Sequence, residues 1–200
     1  MLRDIPSSLG NCLKLRQLSF ARNPISKWPE RITKLTNLET LLCHSTLVRL
    51  LPPSITIFQK LKRINFGHNN LEVRSHFSYM YFAMTYVNSS FIMQAAPVGI
   101  SRLTSLESLQ MSETQLPFPN GLKHLTNISV LSAAGNRITV IPKQLALFTN
   151  LTYLDLSHND IDVFPVEFCR LTNLTHLSLS HNKIREVSSS YLKFAKLALV

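Results

Sequence analysis

The sequence predicts an α/β solenoid, and three observations predict it. A polar landmark residue recurs at Asn23, Thr46, Asn69, Thr114, Asn136, Asn159 and Asn182, at intervals of 23, 23, 45, 22, 23 and 23 residues. An apolar LxxLxL pattern precedes each landmark, clearest in LTYLDLSHNDI (151–161) and LTHLSLSHNKI (174–184) and also visible in LKRINFGHNNL (61–71) and LRQLSFARNPI (15–25). A second half follows, with a hydrophobic residue, usually a proline, and apolar residues leading into the next copy: WPERITKLTNL, LPPSITIFQKL, IPKQLALFTNL and FPVEFCRLTNL.

Each part has a physical role. LxxLxL places alternate apolar side chains on one face of a short strand, and the strand of the next copy lies parallel beside it. The landmark asparagine stands where the chain turns away, and its amide bonds backbone groups that the turn leaves without partners. Threonine does part of that work at Thr46 and Thr114. Proline restrains the returning segment, whose apolar residues close the far side of a flattened coil. No copy buries its own apolar face, so stability comes from stacking on neighbours.

This pattern resembles the leucine-rich repeat family, with LxxLxLxxNxL followed by xxLPxxhxxLxxL, over essentially the whole chain. The resemblance implies a horseshoe with a parallel concave sheet and irregular or short helical convex segments. The 23-residue period and the hydrophobic–proline pair resemble the intracellular class found in Ras-pathway and cell-polarity scaffolds. Residues 1–200 are then one domain of about eight repeats. The 45-residue interval is read as two units with one landmark lost, giving a degenerate unit near 77–99 in which Tyr81, Met84 and Val87 point inward. A partial unit ends the chain. Eight strands about 4.8 Å apart would extend roughly 34 Å.

The net charge of +10 is uneven: residues 1–74 carry +8 and the remainder +2. That asymmetry favours an acidic protein or a membrane surface as partner at long range. A nucleic-acid groove is not expected, because most basic residues fall on flanking segments and the outward strand positions are small and polar. The uncharged stretch 77–101 approaches spanning length but is interrupted by polar residues and Pro97. Cys12, Cys43 and Cys169 form no CxxC pair, and the first residues lack the apolar run of a secretory leader, so a cytoplasmic setting is expected. On that expectation the N-x-S/T patterns at Asn88, Asn127, Asn150 and Asn173 remain unglycosylated.

No phosphate-cradling glycine loop, nucleophile elbow or HExxH pair occurs, so neither catalysis nor a cofactor is expected. His68, His158 and His181 share a column, but no cysteine pair or carboxylate completes a metal set. The interleaved strand residues face a partner. Among them Tyr153 and His176, one repeat apart and beside Asp155, form an aromatic anchor with a charged neighbour, while Leu42 is an apolar and Arg63 a basic outward residue. The expected function is a non-enzymatic protein-interaction module, a signalling scaffold or adaptor. The family resemblance implies a small GTPase or a signalling phosphatase as partner. The alternative is a targeting region of a larger signalling enzyme such as a phosphatase, kinase or exchange factor.

Overall fold

The computed structural model describes residues 1–71, 99–116, 118, 122 and 124–186. Seven three-residue strands, β1 (Gln17–Ser19), β2 (Thr40–Leu42), β3 (Arg63–Asn65), β4 (Ser108–Gln110), β5 (Val130–Ser132), β6 (Tyr153–Asp155) and β7 (His176–Ser178), form one sheet in sequence order. Every pair is parallel and in exact repeat register, so Gln17, Thr40, Arg63, Ser108, Val130, Tyr153 and His176 make one column. The architecture is a leucine-rich repeat solenoid, as the repeat pattern predicts.

The core follows the same columns. Leu41, Ile64, Leu109, Leu131, Leu154 and Leu177, at mid-strand, are buried, and behind them lie Phe20, Cys43, Phe66, Met111, Ala133 and Leu156. The returning segments contribute a second wall, in which Ile32, Leu35 and Leu38 stack on Ile55, Phe58 and Leu61, and Leu145, Phe148 and Leu151 on Phe168, Leu171 and Leu174. Apolar residues of one copy are thereby covered by those of the next.

Short 3-10 turns form the convex side: Ser7–Asn11, Glu30–Lys34, Pro53–Ile57, Ile100–Arg102, Lys143–Leu147 and Val166–Arg170. Five of them begin directly after Pro6, Pro29, Pro52, Pro142 and Pro165. The fixed φ of proline presets the entry, and its carbonyl accepts the first turn bond, as when Ile32 N–H donates to Pro29 O at 3.0 Å. Gly99 takes that place before Ile100–Arg102 with φ of +108°, where an added Cβ would lie 2.7 Å from Thr56 Cγ2. Only glycine fits both constraints.

The 45-residue interval departs from the sequence reading. β3 pairs directly with β4, Arg63 against Ser108. Lys62 lies 3.7 Å from Glu107, Asn65 Nδ2 donates to Gln110 Oε1 at 2.7 Å, and His68 N–H donates to Ser112 O at 2.7 Å. The sheet passes from the Asn69 copy to the Thr114 copy without an intermediate rung, because the pattern at 105–116 supplies a complete rung in phase. Among the described residues the concave sheet has seven strands, roughly 29 Å of extent. The expected inward residues Tyr81, Met84 and Val87, the degenerate unit itself and the C-terminal partial unit lie outside the described residues.

Candidate functional site

The landmark residues are structural. Asn69 Oδ1 accepts from Thr46 N–H at 2.9 Å, and its Nδ2 donates to Phe66 O at 2.8 Å and Cys43 O at 2.9 Å, tying two copies together. Asn136 does the same with Thr114 N–H, Ala133 O and Met111 O. Asn159 and Asn182 repeat the arrangement toward Ile138 and Ile161. Asn23 accepts from Leu2 N–H at 2.8 Å, the same 21-residue step by which Asn159 accepts from Ile138. The Thr46 and Thr114 hydroxyls lie within hydrogen-bond distance of the carbonyls of Cys43 and Met111 in their own copies and of Asn69 Oδ1 and Asn136 Oδ1 in the next.

One column was not anticipated as a backbone feature. The residue before each landmark has positive φ: Arg22 (56°), Ser45 (53°), His68 (51°), Glu113 (53°), Gly135 (61°), His158 (53°) and His181 (55°). This left-handed turn lets the N–H of the first six bond the next copy, as from Arg22 to His44 O and from His158 to Ser180 O. The sequence signal was Gly135, which shares a column with larger residues. The identical backbone directs neighbouring side chains alike, so the His158 and His181 rings stack at 4.2 Å and 11°. His68 Nδ1 lies 2.9 Å from Glu113 Oε2. Among the described residues no group of three or more His, Cys, Asp or Glu is placed to hold a metal.

The concave face lies between this rim and the opposite ends of the strands. Tyr153 and His176 are both exposed, and their rings meet with centroids 5.9 Å apart at a tilt of 32°. The register of β6 and β7 brings them together. Asp155 turns toward its own strand end: its Oδ1 accepts from Ser157 N–H at 3.0 Å and Ser157 Oγ at 2.7 Å. His176 Nδ1 lies 2.9 Å from Thr175 Oγ1. Arg63 is exposed, with its Nε donating to Thr40 Oγ1 at 3.3 Å, and Leu42 is half-buried in register with Ser19 and Asn65. Three positions of the outward columns, Thr40, Gly67 and Ser157, are buried. Neighbouring side chains cover them: the Arg63 guanidinium engages Thr40, and the Asp155 carboxylate engages Ser157.

His44 sits among these residues with its pKa held below the ordinary 6.5, first by burial and then by the positive charges of Arg22 and His68. All three cysteines are free, and burial pushes the Cys43 thiol up to about 12, so it acts as a core side chain. A ladder of opposite charges, Arg16 with Glu39 at 3.6 Å and Lys62 with Glu107 at 3.7 Å, runs beside the sheet and neutralises part of the basic N-terminal half.

Residues 124–184 match the leucine rich repeat family model. No curated protein sequence matches the chain. Similar solved structures include a leucine-rich repeat protein of Leptospira interrogans (27% identity, TM-score 0.82, covering 99% of this chain and 45% of that one). An internalin from Listeria monocytogenes is 20% identical at a TM-score of 0.78, over 98% of this chain and 50% of that one. PEPR1 in its structure with AtPEP1 is 27% identical at a TM-score of 0.76, over 98% of this chain and 26% of that one. The chain thus spans half or less of the proteins it resembles.

These comparisons correct two expectations, the intracellular Ras-pathway and cell-polarity class and the cytoplasmic setting. The similar structures include the internalin and leucine-rich repeat ectodomains of Arabidopsis receptor kinases. The physical reason is that a 23-residue period with proline satisfies the geometry of one rung, and that geometry is indifferent to compartment.

Proposed function

We propose that this chain is a non-enzymatic recognition module that receives a protein or peptide on its concave face. The observation that carries the reading is a division of labour. The asparagine and threonine landmarks and the backbone turns hold the copies together, while Tyr153, His176, Arg63 and Leu42 stand on a continuous seven-strand face with no comparable structural task. Structures with the same fold support it, among them a plant peptide hormone receptor in complex with RGF2 and the HAESA ectodomain with a peptide hormone ligand. A small GTPase or signalling phosphatase as partner rested on the intracellular class, so the reading is kept to a protein or peptide.

The test compares the wild-type chain with Tyr153→Ala/His176→Ala in quantitative affinity capture. Selective loss of one or a few partners from the variant supports concave recognition, and equal recovery by both chains counts against it. A second reading, the recognition part of a larger signalling enzyme, is favoured by the resemblance to the ectodomain of a membrane receptor kinase. Sequencing full-length transcripts for a catalytic domain in the same reading frame distinguishes it.

A further inference from the structure

The charges on the concave face are sorted along the solenoid axis. His68 and Glu113 pair with each other, and Arg16 with Glu39 and Lys62 with Glu107 pair beside the sheet. Among the described residues of the concave columns, Arg22, Arg63 and Asp155 are in none of these ion pairs, two cations on the β1 and β3 rungs and one carboxylate on β6. Between Arg63 and Asp155 the strands themselves present Ser108, Gln110, Val130 and Ser132, all uncharged, with the Glu113 carboxylate on the rim against His68. Three strand intervals separate the two charges, roughly 14 Å, the span of about four residues of extended chain at about 3.3 Å each. Asp155 engages Ser157 through Oδ1, leaving the other oxygen for a partner, and the exposed Tyr153 beside it offers a ring to a cation.

We propose that the concave face binds an extended peptide segment with an acidic residue over Arg63 and a basic residue about four positions away over Asp155 and Tyr153. The inference rests on the concave-face reading and adds to it the charge pattern of the ligand. Complementarity selects this occupant: a uniformly acidic segment meets Asp155 unfavourably, and a uniformly basic one meets Arg22 and Arg63.

The test is selection of random dodecapeptides displayed on phage against the immobilised full chain, followed by affinity measurement on synthetic copies of the enriched peptides. Enriched peptides should carry opposite charges three to five positions apart. Arg63→Glu should weaken them about tenfold and Asp155→Asn by a similar factor, and exchanging the peptide's acidic residue for lysine should restore binding to Arg63→Glu. Asp155→Asn keeps an oxygen for Ser157, and circular dichroism checks that both variants fold. Peptides lost with Tyr153→Ala/His176→Ala but indifferent to both charge variants would overturn the charge pattern and leave the concave reading standing. Peptides indifferent to all these variants would overturn both, and absence of any enrichment would overturn the extended-peptide ligand.

Discussion

Asn69 accepts the backbone N–H of Thr46 at 2.9 Å from a buried position one repeat away. The same side chain donates to Phe66 O and Cys43 O, so one amide satisfies groups in both copies. Asn69→Ala leaves buried donors and acceptors without partners and should cost about 3 kcal/mol. Urea denaturation checks this, and a midpoint equal to wild type would refute the bridging role.

Leu156 is fully buried behind β6. Leu156→Ala should destabilise the solenoid by about 2–5 kcal/mol, the range for buried leucines. Tyr153→Ala/His176→Ala, by contrast, should change stability by no more than about 0.5 kcal/mol per substitution. Thermal unfolding of both variants reads the difference, and a reversed order would place the sheet face on the wrong side.

His44 makes stability depend on pH in a defined direction. Its folded pKa is below the ordinary 6.5, so the unfolded chain binds its proton more readily. The stabilising contribution is present above about pH 6.5 and is lost as pH falls through the lower folded value. His44→Gln should flatten this part of the stability profile. In an NMR titration, Arg22→Gln should move the His44 midpoint upward, since one of the depressing charges is gone.

Because β3 pairs directly with β4, the stack should tolerate a shortening of the chain between them. Deleting 22 residues, 74–95, brings Asn69 and Thr114 to the 23-residue interval and puts Pro97 six positions after the landmark, as Pro29, Pro52, Pro142 and Pro165 stand after theirs. The shortened chain should keep the far-UV circular dichroism of the sheet and unfold cooperatively. Loss of folding would show that those residues hold the two flanks together.

The strands and the inward columns were legible because the leucine pattern has a period of two within each copy and a fixed spacing between copies. The direct pairing of β3 with β4 across the 45-residue interval was not legible, because the interval equals nearly two periods and arithmetic cannot distinguish a skipped landmark from an addition between neighbouring rungs. Handedness at Arg22, Ser45, His68 and Glu113 was hidden, since these residue types do not announce positive φ and only Gly135 hinted at it. The Tyr153–His176 contact was readable from register alone. The engagement of Asp155 with Ser157 was not, because it depends on a side-chain torsion.

The narrow 3-10 turns that follow the prolines also govern how strongly the stack bends. A full α-helix is about 10 Å across with its side chains, twice the spacing between strands, and helices packed along the back would splay the rungs apart there. Slimmer turns demand less room, so the back and front of the coil advance by more nearly equal steps. Such turns call for a shallower arc than packed helices would, so the seven rungs can keep closer to one line.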